Sequence, residues 1–203
     1  MRSFLVSLLA LLVLTTVTSA QAPTAADLAK ATIDAAGGEQ KLPKLFRIKE
    51  NLILGENPQG KPSSRTTVIE PPAHWWQGKR DRVVAEKEPA IFLVWTWTLG
   101  SLADPKSKLK TVDDQTIDGR ATYGLEVSGT ITPPLTAYFD KDSKTLVRID
   151  WRKDQHKFSD WKESEGYKYP AKCVGYKSTG KPWYFTEILE FERLKELPAG
   201  LTR

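Results

Sequence analysis

Two histidines, one cysteine and a scatter of carboxylates are the side chains in this chain whose types could do chemistry, and their spacing gives them little to work with. His74 stands beside Trp75 and Trp76, and His156 lies in KDQHKFSD; neither has a second ligand at a metal-binding spacing such as H-x3-H. The single cysteine, Cys173 in AKCVGYK, excludes an internal disulfide or a thiolate metal cage and reads as a buried small hydrophobe. Asp140 and Asp142 in YFDKDSK read as turn formers, because short aspartate side chains bond the backbone at hairpins. Asp113, Asp114, Glu163 and Glu165 read as solvated faces. No glycine-rich phosphate loop and no nucleophile elbow occurs. The expectation is a non-catalytic protein with no cofactor and no metal.

The seven tryptophans are the stronger signal. Each offers a large apolar face with one N–H, which suits a wall that grips an acyl chain or stacks on a ring. Seven is many for one small core, so some are expected to line a pocket or a surface. Trp95 and Trp97 stand in EPAIFLVWTWTLGSLADP, an apolar stretch within a chain that is 27% charged. Its apolar run is too short for a membrane span, which needs about 20 such residues. As a strand it puts Ile91, Leu93, Trp95, Trp97 and Leu99 on one face; as a helix it makes a stripe of Ile91, Val94, Trp95, Thr98, Leu99 and Leu102. Pro89 suits a first helical turn and Asp104-Pro105 a stop, so the flanks favour a helix over residues 89–102. The stretch is apolar nearly all round and must be covered on more than one side. Trp95, Trp97, Phe92, Leu99 and Trp76 are the candidate ligand-binding residues.

The ends and the remaining elements set the frame. Arg2, an apolar run from Phe4 to Val17 and Ala20-Gln21-Ala22 make a secretory signal peptide over residues 1–22, with no lipid-anchoring cysteine after it. The protein is therefore expected to be exported, periplasmic or extracellular, with residues 23–203 as one domain and no transmembrane segment in the mature chain. Removing the signal removes Arg2 and no acid, so the formal charge falls from +5 to +4. Bases and acids are interleaved and no basic stripe is visible, which argues against nucleic acid as a partner. Thr24 and Asp27 form a capping box before a helix that stops at Gly37-Gly38. Beyond it the period changes to that of strands, with hairpin turns at Asp118-Gly119, at KDSK and at Ser178 to Gly180. The pattern gives about ten strands, the grammar of an antiparallel meander, sandwich or barrel, in a mainly β (α+β) chain.

This layout resembles the superfamily of outer-membrane lipoprotein carriers and sorting proteins, the LolA- and LolB-like proteins. Gly37-Gly38, the PAIFLVWTWTLGSL insertion, IDGRATYGLEV, AYFDKDSKTLVRIDW and SDWKESEGYKYPAKCVGY carry the resemblance. It implies an incomplete antiparallel β-barrel wrapped around the N-terminal helix and a short inserted helix, enclosing an apolar cavity that receives acyl chains. It implies a monomeric carrier or sensor whose partners are a hydrophobic ligand or lipoprotein and an envelope acceptor protein. It assigns no role to any individual residue. The alternative reading is an envelope carbohydrate- or protein-binding β module that uses Trp75, Trp76 and Trp183 as exposed stacking platforms.

Overall fold

The computed structural model describes residues 22–83 and 88–203. The expected signal peptide lies outside the described residues, save for Ala22. Helix α1, Ala25–Ala35, opens on the expected capping box. The Asp27 N–H donates to Thr24 Oγ1 at 3.2 Å and the Thr24 N–H donates to Asp27 Oδ2 at 3.0 Å. The helix closes where Gly37 and Gly38 take φ of 118° and 89°, and the Gly38 N–H donates to the Ile33 carbonyl at 2.9 Å. Space also demands glycine at 37, since a Cβ there would lie 2.0 Å from the Gly166 carbonyl oxygen.

Among the described residues eleven strands follow: β1 Phe46–Leu54, β2 Ser63–Glu70, β3 His74–Gln77, β4 Arg80–Asp81, β5 Lys108–Ile117, β6 Arg120–Ser128, β7 Leu135–Asp140, β8 Leu146–Trp151, β9 Asp154–Ser164, β10 Tyr167–Tyr176 and β11 Pro182–Arg193. The sequence pattern led to about ten. The extra strand arises because HWWQGKRD folds back at Gly78, φ 61°, and divides into β3 and β4. All eleven form one antiparallel sheet in the order β4-β3-β2-β1-β11-β10-β9-β8-β7-β6-β5. Two meanders, β1 to β4 and β5 to β11, are thus joined where the first strand pairs with the last. Strands β4 and β5 do not pair, so the barrel is open, and the chain between them carries the apolar stretch. The hairpin turns fall where the sequence put them. Asp118 and Gly119 have φ of 49° and 80°, as a two-residue turn between twisted strands requires. Asp140 Oδ1 accepts the Asp142 and Ser143 N–H groups at 3.0 and 2.8 Å, which makes it a turn residue.

The apolar stretch is helical, but in two pieces: α2 Glu88–Trp97 and α3 Gly100–Ala103. Leu99, at φ 64°, breaks it where a single helix to 102 was expected. Trp95 packs so closely on α3 that a Cβ at Gly100 would lie 2.5 Å from its ring. The hydroxyls within this stretch are satisfied locally, Thr96 Oγ1 donating to the Phe92 carbonyl at 2.9 Å and Thr98 Oγ1 to the Val94 carbonyl at 2.8 Å. Ile91, Val94, Trp95, Trp97, Leu99 and Leu102 join the main core with α1 and the concave face of the sheet. That core includes the inward residues of alternating strands, such as Tyr123, Leu125 and Val127 of β6 or Tyr167, Tyr169 and Ala171 of β10. A smaller cluster sits on the convex face, where Leu194, Leu197 and Leu201 cover Leu45, Val68 and Trp76.

Candidate functional site

Between α2 and the concave sheet lies a cavity of about 410 Å³. Its helix side is apolar: Pro89, Ala90, Leu93, Val94 and Trp97. Its sheet side comes from β1 to β3 and β8 to β11, and there apolar residues alternate with polar ones. Leu54, Arg152 and Lys177 line it and are exposed, so they mark the rim. Leu54 is 70% exposed although it belongs to the inward row of β1, because the row ends at this opening.

The inward row of β1 runs Phe46, Ile48, Glu50, Leu52 and Leu54 and so carries one carboxylate into the interior. Glu50 is 5% exposed and accepts a hydrogen bond from Arg65 Nε of β2 at 2.8 Å. A second polar group is built by three other strands. Gly175 of β10 pairs with Tyr184 of β11 on one side and with His156 of β9 on the other. Without a side chain at 175, the Tyr184 ring lies across the strand, and its hydroxyl stands 2.7 Å from His156 Nδ1 and 3.3 Å from Cys173 Sγ. Burial pushes the His156 pKa down to about 4, Asp154 opposing the shift and Lys177 adding to it. Burial also pushes the Cys173 thiol up to about 12 and holds the Tyr184 hydroxyl well above its ordinary value. At neutral pH all three are uncharged, and a thiol held protonated is a weak nucleophile.

The sequence-predicted residues divide. Trp97 lines the cavity, with its ring edge-on to Phe46 at 6.1 Å. Trp95 does not; it faces α3 in the core. Phe92 is half-buried with its ring edge-on to Trp151 at 6.2 Å, and Leu99 is 3% exposed at the helix break; neither lines the cavity. Trp76 sits on the convex face, where its indole N–H donates to the Thr202 carbonyl at 3.0 Å. Its neighbour Trp75 points the other way and lines the cavity, as do Trp151 and Trp183. Trp75 and Trp76 are 4% and 1% exposed, so neither ring is a stacking platform on the surface. His74 hydrogen-bonds Asp81 at 2.6 Å and stacks on Trp76 at 4.9 Å.

Sequence reasoning passed over Glu50, Arg65 and Tyr184, and it gave His156 and Cys173 no role at a site. Strand parity held the available signal. Glu50 falls on the same parity as Phe46, Ile48 and Leu52, and His156 on the same parity as Phe158, which marks both as inward polar residues.

No protein-family model and no curated protein matches the sequence. Solved structures do match. A LolA superfamily protein from Nitrosomonas europaea is 11% identical, with 87% of this chain and 96% of that chain covered at a TM-score of 0.52. A domain described as outer-membrane lipoprotein-sorting, from Vibrio parahaemolyticus, is 11% identical over 86% and 94% of the two chains at a TM-score of 0.52. A DUF1329 family protein from Desulfovibrio piger is 13% identical over 86% and 93% at a TM-score of 0.53. At such identities the match speaks to architecture alone, and the open eleven-stranded sheet around its helices is a LolA-like fold.

Proposed function

We propose that the protein is an exported, non-catalytic carrier or sensor that holds a hydrophobic ligand in the cavity between α2 and the concave sheet. The cavity itself carries this reading. A close-packed interior leaves few voids larger than a water molecule, and 410 Å³ walled by four tryptophans is well beyond that. The volume lies in the range of small-molecule sites, roughly 300–1,000 Å³. Burial of each ligand methylene would contribute about 0.8 kcal/mol, so an acyl chain supplies its own driving force. Export is supported by the signal-peptide pattern of residues 1–22. The carrier role is supported by the LolA-like fold, since one structural neighbour is described as an outer-membrane lipoprotein-sorting domain. Release would require an acceptor, an envelope membrane or protein. The neutral Cys173 and His156 suit holding a ligand rather than transforming it.

Native mass spectrometry of residues 23–203, purified from an export host without detergent and then solvent-extracted, tests this. A bound mass recovered in the extract as a lipid or fatty acid supports the carrier. An apo mass that is unchanged after incubation with lipid vesicles overturns it.

A further inference from the structure

The two sides of the cavity ask for different things from an occupant. The α2 side is apolar apart from the indole N–H of Trp97. Across from it, the Glu50–Arg65 pair uses Arg65 Nε and one carboxylate oxygen. Among the described residues the terminal amino groups of Arg65 and the second oxygen of Glu50 make no hydrogen bond, although the guanidinium lies over the Trp75 ring at 6.0 Å. Tyr184 and Cys173 add a hydroxyl and a thiol, and His156, 3% exposed, completes the strip. The indole N–H of Trp183, another lining residue, is buried and has no hydrogen-bond partner among the described residues.

This strip carries no net charge. Glu50 and Arg65 cancel, and burial keeps His156, Tyr184 and Cys173 neutral. An ionised headgroup placed there would lose its water with no unpaired opposite charge in the strip to offset the loss, and the other lining cations are already engaged, Lys177 with Asp154 at 3.0 Å, Lys172 with Glu187 at 3.7 Å and Arg152 over the Trp151 ring at 4.2 Å. A bare hydrocarbon would cover donors and acceptors without pairing them, which is also costly. A neutral group with both a carbonyl and a donor pairs with them.

We propose that the occupant is a lipid with an uncharged ester, amide or hydroxyl headgroup, its hydrocarbon against α2 and its headgroup against Glu50, Arg65, His156, Cys173 and Tyr184. The assignment rests on the carrier reading and narrows it to a ligand class.

The test is displacement of diphenylhexatriene, a hydrocarbon dye, from the mature protein at pH 8 by 1-monomyristoylglycerol and by myristate, each kept below aggregation. Two variants accompany it: Tyr184→Phe, and Glu50→Leu with Arg65→Leu. The double change replaces a buried ion pair by apolar residues, a substitution that stability often tolerates. Monomyristoylglycerol should displace the dye at a concentration at least tenfold lower than myristate, and each variant should weaken it about tenfold while leaving myristate and the dye unchanged. Equal competition by myristate in the parent overturns the headgroup assignment, as does monomyristoylglycerol binding that is unaffected by both variants. In those cases the carrier reading stands. A dye that never enters the protein overturns both.

Discussion

Replacing Gly175 with alanine tests whether the cavity wall is built by a ring lying across a bare strand. The backbone at 175 has an ordinary φ, so the effect is steric. A Cβ there would lie 2.0, 2.5 and 2.8 Å from Cε1, Cδ1 and Cζ of Tyr184, well inside any tolerated carbon–carbon approach. The ring must leave, and with it goes the 2.7 Å contact to His156. Overpacking of this kind costs about 1–3 kcal/mol. A buried nitrogen left without its partner adds about 1–3 kcal/mol. The smaller entropy of an unfolded chain with alanine returns about 0.5 kcal/mol. The net loss is about 3 kcal/mol, which at an m-value of about 2 kcal/mol per molar lowers the urea midpoint by about 1.5 M. Urea titration followed by tryptophan fluorescence reads it directly. In a Tyr184→Ala background the obstruction is already gone, and Gly175→Ala should cost under about 1 kcal/mol. The same cost in both backgrounds would refute this account of the wall.

His156 should make stability pH-dependent. Its pKa falls from 6.5 in the unfolded chain to about 4 in the fold. Between those values the unfolded chain binds more protons, so stability is full above about pH 6.5 and is lost as pH falls towards 4, by roughly 3 kcal/mol in all. His156→Gln removes this component; urea midpoints measured from pH 7 to 4.5 should fall less steeply in the variant, and parallel curves would contradict the burial of the imidazole. Arg65→Ala strands the Glu50 carboxylate, which is 5% exposed, and should cost about 3–5 kcal/mol. Adding Glu50→Leu to it should recover most of that loss, and a single-variant cost below about 1 kcal/mol would mean that the pair is not desolvated as described.

Local chemistry alone determined a good part of this protein. The capping box at Thr24 and Asp27, the stop at Gly37-Gly38 and the Asp118-Gly119 hairpin each depend on residues within five positions of one another, and each appears where the sequence pattern put it. The period-2 alternation of the strands also holds, and parity would have marked Glu50 as inward. The candidate site was legible only in part. Trp97 lines the cavity while Trp95, two residues away, faces α3, because a helix turns neighbouring side chains by about 100° per residue and packing decides which face meets the sheet. Trp75 and Trp76 part for the matching reason in a strand, where neighbours point to opposite faces and only the covering C-terminal tail settles which face is the core. The polar strip was the least legible feature of all. Glu50 and Arg65 sit more than 90 positions before His156 in the chain, and they meet the His156, Cys173 and Tyr184 cluster only because β1 closes the sheet against β11. That pairing is a long-range choice of register, fixed by the burial of one whole face, and no local pattern in the sequence encodes it.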